Sequence, residues 1–275
     1  MFTPPRKYGE KMRKIVLKKK SGGNRIVYAP SHREKAFLRM ELLKLNQEVL
    51  SKCDMEVVHG FCEGKSPVSN ALPHIGYQYT LNMDLKDFFD NVTVGKVNKN
   101  IQLVDEVYWL PHEYFIDGIA RQGLPTSPAL ANLAMIKADK LIKRLCRDKK
   151  IVYTRYADDL SFSSNNLEYI KHLRDILPKV IKKYGFEVNA KKTRIQWAGA
   201  GRRNITGVYV DDKLHVSRKV KRNLRAALHQ GNKNQAKGLK EWSKLKLPTM
   251  NNISKADKTQ VRHLARKLQG IKDVW

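Results

Sequence analysis

The sequence predicts an α+β protein in which antiparallel hairpins alternate with amphipathic helices. Two observations carry the architecture and a third points to where the chemistry sits. Runs of β-branched and aromatic residues flank short polar tips at 15–28 and 151–162. Helical apolar periodicity fills 31–51, 129–146 and 167–184. Carboxylates then punctuate the strands, at Asp84 and at the pair Asp158–Asp159.

Composition narrows the function before any motif is read. The 275 residues are 41% hydrophobic, enough for the packed core of one large or two modest domains. The formal net charge is +28. A globular chain with that excess is matched to a polyanion, above all nucleic acid. Cys53, Cys62 and Cys146 form no CxxC pair, and the histidines show no zinc spacing. With no apolar leader and no 18-residue apolar run, the expectation is reduced thiols, no membrane and a cytoplasmic location.

Taken in order, Ile15–Leu17 and Arg25–Tyr28 read as a hairpin with a basic, Gly-rich tip, ended by Pro30. The tip is either a solvated loop or a segment lying along phosphates, with Arg25 making charge-assisted bonds. Ser31 to Ser51 reads as a scaffold helix with a Ser31/Glu34 capping box. Phe37, Leu38, Leu42, Leu45 and Leu50 form its apolar face. A loop at 61–66 carries Lys65. Asn70-Ala71-Leu72-Pro73-His74 precedes the strand that ends at Asp84, and a lone histidine there is ordinarily a structural hydrogen-bonder. Asp87 and Asp90 are expected to cap the following turn or helix.

Gln122 to Pro128 is a loop whose glycine permits close approach of a backbone or ligand. It leads into a helix from Ala129 to Cys146, with Ala131, Ala134, Ala138 and Leu141 on a close-packed face. Leu167 to Tyr184 is a second amphipathic helix, ended by Gly185. Residues 186–197 read as two short strands around Asn189–Thr193, and 205–210 as one further strand. From Asp212 the composition shifts: residues 212–275 hold 17 Lys/Arg and 4 Asp/Glu. That segment is mostly helical in pattern, broken near Gly231 and Pro248. Leu224, Ala227 and Leu228 mark one apolar stripe; Val261, Leu264 and Leu268 mark another. Two units follow, 1–211 and a small basic helical unit at 212–275.

Acids at a hairpin turn are ordinarily solvated turn-formers. Asp84, at the end of another strand, changes the reading of Asp158 and Asp159. Three carboxylates brought together repel one another unless cations lie between them. Mg²⁺ takes such oxygen ligands and completes its shell with water and substrate phosphates. The residues therefore point to a two-metal nucleotidyl-transfer site, and no Ser/His/Asp or Cys/His set competes with it.

Four segments, in this order, resemble the reverse transcriptase family. Asn82-Met83-Asp84-Leu85-Lys86-Asp87-Phe88-Phe89 is similar to the first palm motif, and Gln122-Gly123-Leu124-Pro125-Thr126-Ser127-Pro128 to the Gln-Gly loop. Tyr156-Ala157-Asp158-Asp159 is similar to the YxDD turn, and Asn189-Ala190-Lys191-Lys192-Thr193 to a later palm motif carrying a lysine. A narrower resemblance is to retron reverse transcriptases. Asn70-Ala71-Leu72-Pro73-His74 fits their NAxxH signature, and Ile205-Thr206-Gly207 their VTG signature with Ile for Val. The stretch from Arg25 to Ser31 resembles their fingers.

The resemblance implies a right-hand polymerase fold: fingers and palm over 1–211, with an antiparallel sheet plus helices, and a helical thumb over 212–275. It implies two Mg²⁺ ions, with Mn²⁺ as the alternative, held by Asp84, Asp158 and Asp159 with the Leu85 carbonyl as a further oxygen. Arg25, Lys65, Phe89, Gln122, Gly123 and Lys192 would meet the incoming dNTP. Phe89 sits where the family places its sugar gate, and of the pair Phe88–Phe89 one is expected in the core. Lys192 is either a pyrophosphate partner or a surface cation. Asn70, Ala71, His74, Ile205, Thr206 and Gly207 would help recognise RNA. The implied function is an RNA-directed DNA polymerase copying part of a dedicated structured non-coding RNA (msr-msd) into branched, RNA-linked DNA (msDNA), primed from a guanosine 2′-OH. A separate effector protein, antiphage defence and a bacterial cytoplasm go with it. The alternatives are a group II intron-like or other defence-associated reverse transcriptase, and a structural RNA-binding subunit that restrains an effector.

Overall fold

The structure is a computed structural model that describes residues 12–19, 22–101 and 112–247. Its centre is a four-stranded antiparallel sheet built from β3 (Tyr79–Asp84), β4 (Val152–Tyr156), β5 (Asp159–Ser164) and β6 (Arg194–Trp197). The strand order is β4-β5-β3-β6. Leu81, Met83, Leu160 and Phe162 are fully buried and set the register of the middle strands. Two long helices cover the sheet, α4 (Ser127–Arg147) and α5 (Leu167–Lys183). Ala129, Ala131, Ala134 and Ala138 are buried along α4; their small side chains let the helix lie close to its neighbours. Proline at its start and Arg144 and Arg147 in its last turn suit the helix ends.

The N-terminal hairpin pairs β1 (Arg13–Lys18) with β2 (Asn24–Ala29). It feeds α1 (His32–Lys52), whose Ser31/Glu34 capping box is complete. Helix α1 and the short α3 (Val94–Ile101) both pack on α4. A second, smaller core lies at the far edge. There β7 (Arg203–Ile205), β8 (Val208–Val210) and β9 (Leu214–Val216) form an antiparallel sheet. Ile205, Val208 and Val210 pack with Val68 and Ala71 of α2 (Pro67–Ala71), and with Trp242 and Leu245. Two basic helices complete the described chain, α6 (Arg218–His229) and α7 (Lys233–Ser243).

Several local expectations give way to tertiary context. Leu50 of α1 is exposed and Val49 is buried instead, because the helix presents Leu38, Leu45 and Val49 to the core. Leu228 of α6 is exposed too, leaving Ala227 as the buried contact. Asp87 and Asp90 do not cap: Asp87 adopts φ 44° with no capping bond, and the two pair with Lys19 and Arg121. Residues 186–197 hold one strand, not two; the first is reduced to a single bridge between Val188 and Leu85. Residues 205–210 are not one strand but the corner of a hairpin. Thr206 at φ 47° and Gly207 at φ 86° turn the chain, and two successive positive φ values are what a tight hairpin turn of this hand demands. Strand β9 continues that sheet past Asp212, so the composition shift falls inside a β-meander. The stripe Val261, Leu264, Leu268 and the break near Pro248 lie outside the described residues.

Candidate active site

The turn at Ala157–Asp158 is built from its flanks. Strands β4 and β5 pair Tyr156 with Asp159, leaving Ala157 and Asp158 as a two-residue turn, with Ala157 at φ 57°. Antiparallel pairing then sets Asp159 directly opposite Asp84 on β3. Both are strand residues, so the expected turn pair is one turn acid and one strand acid. Asp158 is tied down by its backbone, its carbonyl accepting from the Leu85 amide at 3.0 Å. Three acids, two from the β4–β5 hairpin and one from the neighbouring β3, thus converge at one end of the sheet.

Their electrostatics are those of anions crowded away from water. Burial pushes the Asp159 carboxyl up to about 6, with the charges of Asp158 and Asp84 adding to it and Lys192 and Arg194 opposing. Burial also raises Asp158, where Asp84 adds and Lys192 and Arg25 oppose. Lys192 donates to Asp84 Oδ1 at 2.7 Å, and that bond raises the ammonium. Asn189 lies beside it, its amide donating to the Asp84 carbonyl at 2.7 Å. Mutually repelling carboxylates, one buried and two half-buried, with one cation already drawn in are a donor set that suits a divalent metal. Among the described residues, Asp211, Asp212 and His215 also bring ligand atoms within 4.8 Å of one another. The Asp211 carboxylate there is taken by Arg202 and His215, at 2.8 and 2.7 Å.

Behind the turn lies a support that sequence reasoning missed. Arg155 is fully buried and holds Asp139 of α4 through Nε and Nη2, at 3.0 and 2.7 Å. Tyr153 donates to the same carboxylate at 2.7 Å. Asn132 receives Arg155 Nη1 at 3.1 Å and donates to the Gly60 carbonyl at 3.0 Å. Gly60 lies so close to the turn that a Cβ there would stand 2.2 Å from the Ala157 nitrogen. An aspartate interrupting the alanine face of α4 was the available signal.

Apart from Lys192, the expected nucleotide residues occupy three places. Gln122 and Gly123 abut the N-terminal hairpin: the Gln122 carbonyl accepts from the Tyr28 amide at 2.8 Å. Gly123, at φ 105°, would put a Cβ 2.1 Å from the Tyr28 carbonyl, so only glycine fits this approach. Arg25 is exposed on β2, and its charge reaches Asp158. Phe88 is buried and Phe89 half-buried, their rings 5.7 Å apart. A further aromatic, Phe61, meets Phe89 at 5.9 Å from a backbone at φ 60°. Lys65 is half-buried, and its charge helps burial to lower His59 to about 4.

The residues expected at RNA are mostly interior. Asn70, Ala71, His74 and Ile205 have no exposed surface, which removes direct RNA contact by their side chains. His74 bridges Ser163 and Thr154 at 2.7 and 2.8 Å, and burial holds it neutral, down to about 3. Asn70 donates to Thr206 Oγ1 at 3.3 Å. Thr206 and Gly207 alone reach the surface, at the β7–β8 turn. The two signatures thus meet in space as one buried scaffold carrying one exposed turn.

Comparison with known proteins places this geometry. The family described as "Reverse transcriptase (RNA-dependent DNA polymerase)" matches residues 17–206. The chain is similar to the retron Mx65 reverse transcriptase of Myxococcus xanthus, 36% identical over 241 residues, covering 78% of this chain and 55% of that protein. It is similar to the retron Ec86 reverse transcriptase of Escherichia coli, 32% identical over 231 residues, covering 79% of this chain and 69% of that one. The chain thus spans about half the length of the first of these relatives and about two thirds of the second. Among solved structures, apo telomerase from Candida tropicalis, truncated from its C-terminal domain, aligns with TM-score 0.54 at 14% identity, over 78% of this chain and 56% of that chain. That likeness is one of fold, the right-hand polymerase architecture.

Proposed function

The chain belongs to the reverse transcriptase family, in its retron branch, and from that premise we propose that it is an RNA-directed DNA polymerase whose reaction centre is Asp84, Asp158 and Asp159. The observation that carries the reading is the cross-strand register that sets Asp84 against Asp159 beside the Asp158 turn. Two divalent ions bound there, Mg²⁺ or Mn²⁺, would supply charge to the attacking hydroxyl and to the leaving pyrophosphate. The Leu85 carbonyl would be a further oxygen donor to those ions. Lys192 holds Asp84 in place and covers its charge. In the transfer, the hydroxyl oxygen bonds to the α-phosphorus, the bond to pyrophosphate breaks and the proton leaves to solvent.

The chain's own residues select and orient the dNTP. Arg25 and Lys65 meet the triphosphate, the Gln122–Gly123 backbone holds the nucleotide, and Phe89, backed by Phe61, leaves no room for a ribose 2′-OH. The substrate is a structured RNA carried with the protein. The finer reading is a dedicated msr-msd RNA, priming from a guanosine 2′-OH, msDNA as product, and action with a separate effector in antiphage defence in the bacterial cytoplasm. The retron relatives support that reading. Among the described residues no helix is long and apolar enough to cross a membrane. Basic α6 and α7 are the proposed thumb, presenting cations to the phosphates of an A-form-like duplex.

Sequencing of nucleic acid that copurifies with the protein tests the reading. DNA joined to RNA through a 2′,5′ bond is expected. RNA-templated DNA without that bond favours a group II-like enzyme, and no dNTP incorporation on any RNA template leaves only the structural subunit.

A further inference from the structure

Between the end of α1 and the second half of α4 lies a cavity of about 780 Å³. Six cations line it: Lys52 of α1, and Lys137, Lys140, Lys143, Arg144 and Arg147 of α4. Lys137, Lys140, Arg144 and Arg147 recur at steps of three and four residues, so they share one face of the helix over about 15 Å. The acids of the lining are already engaged. Asp54 takes Lys143 at 2.5 Å, and Asp139 takes Arg155 at 2.7 Å. Lys140 and Arg144 are exposed and pair with no acid among the described residues. Ile136, Leu141 and Tyr184, all half-buried, give the same cavity an apolar part.

The sheet separates this cavity from the proposed reaction centre. Tyr153 and Arg155 reach Asp139 on α4, so they project from the helix-covered face of the sheet. Phe162 stacks on Tyr153, and Leu160 and Met83 share that face. Asp159 and Asp84 are their neighbours along the strands and project from the other face. Nucleic acid engaged at the acids therefore lies across the sheet from α4. A duplex also offers phosphates but no apolar side chain to cover Ile136, Leu141 and Tyr184. A peptide segment with carboxylates and apolar anchors matches both parts of the cavity. We infer that this cavity docks an acidic segment of a partner protein, its carboxylates on Lys140, Arg144 and Arg147 and its apolar side chains on Ile136, Leu141 and Tyr184. The volume suits a few residues of such a segment. The surface stands independently of the polymerase reading.

The test uses the whole chain with its copurified RNA bound. The probe is a fluorescent random copolymer of glutamate and tyrosine, with polyglutamate as the comparison. Polyglutamate is expected to bind wild type about tenfold more weakly than the copolymer, the share of the apolar contact. Lys140→Glu/Arg144→Glu is expected to raise the Kd for the copolymer about tenfold or more. Lys171→Glu/Arg174→Glu on α5 makes the same change in net charge and leaves that Kd within about twofold. Both double variants keep dTMP incorporation on poly(rA) primed with oligo(dT) within about twofold of wild type, which separates lost docking from lost folding. Equal loss of copolymer binding in the two double variants overturns the inference, because the attraction is then one of charge alone. Equal binding of polyglutamate and copolymer to wild type overturns it as well. Should Lys140→Glu/Arg144→Glu fail to fold, the wild-type chain answers: carbodiimide coupling is expected to join the copolymer to Lys137, Lys140 or Lys143. Coupling confined to α6 and α7 overturns the inference. So does protection of Lys140 from acetylation by the copurified RNA, which gives the cavity to nucleic acid.

Discussion

Arg155 donates from Nη1 to the carbonyl oxygen of Ala157, 3.1 Å away, and so holds the Ala157–Asp158 turn from behind. The same guanidinium is fully buried and paired with Asp139 on α4. Helix α4 starts just after the Gln122–Gly123 loop, so one helix connects the proposed nucleotide loop with the turn proposed to bind metal.

Removing Asp139 would strand a buried cation. Asp139→Ala is expected to cost about 3–5 kcal/mol of folding stability, read by chemical denaturation. A loss under about 1 kcal/mol would show that the ion pair does not hold the fold.

Asp158→Ala leaves the fold intact, since Asp158 is half-exposed at a turn. It is expected to lower dNTP incorporation at least a thousandfold, the loss of several kcal/mol of charge stabilisation. Full activity in this variant would remove Asp158 from the reaction centre.

On the proposed reading of Phe89, Phe89→Ala would open space for a ribose 2′-OH. The preference for dNTP over rNTP, as a ratio of kcat/KM values, is expected to fall roughly ten- to hundredfold. A ratio unchanged from wild type would mean that Phe89, like Phe88, only fills the core.

Gly60 has no room for a methyl group against the turn. Gly60→Ala is expected to lower kcat at least tenfold by displacing Ala157 and Asp158, a small shift near reacting atoms being costly. Wild-type kcat with a lowered melting temperature would place the effect in stability alone.

His74 makes stability depend on pH. Its folded pKa lies at about 3 against an ordinary 6.5, so the unfolded chain takes up the proton first as pH falls. The contribution is complete above about pH 6.5 and is lost at up to about 1.4 kcal/mol per pH unit below it. His74→Gln keeps a donor and an acceptor but cannot charge, so its melting temperature is expected to vary less between pH 6.5 and 4.5. An equal slope in the two proteins would contradict the neutral, buried histidine.

Much of this was legible in the residues. The capping box at Ser31, the hairpin around Asp158 and the glycine at 123 follow from local chemistry that tertiary packing leaves in place. What the chain order hides is the partnership of distant groups. Asp139 and Arg155 lie in different elements, and nothing local says that they meet. Asn70 and His74 are recognition residues only by resemblance to a signature, whereas a lone histidine before a strand is ordinarily a structural hydrogen-bonder; the fold buries both and satisfies His74 with hydroxyls from β4 and β5. The turn at Thr206 was read as strand because Ile205 and Val208–Val210 have strand composition, and only the backbone shows the corner.

The pairing of Asp84 with Asp159 has a consequence for how a preparation of this protein should be judged. Side chains alternate between the two faces of a strand, so a slip of one residue in β3 against β5 sends one carboxylate through the sheet. Such a slip would also turn Leu81 and Met83 out of the core while leaving backbone pairing open to β3. Such a molecule would look folded by circular dichroism and yet be catalytically dead. Specific activity therefore counts correctly registered molecules, and spectroscopic content does not.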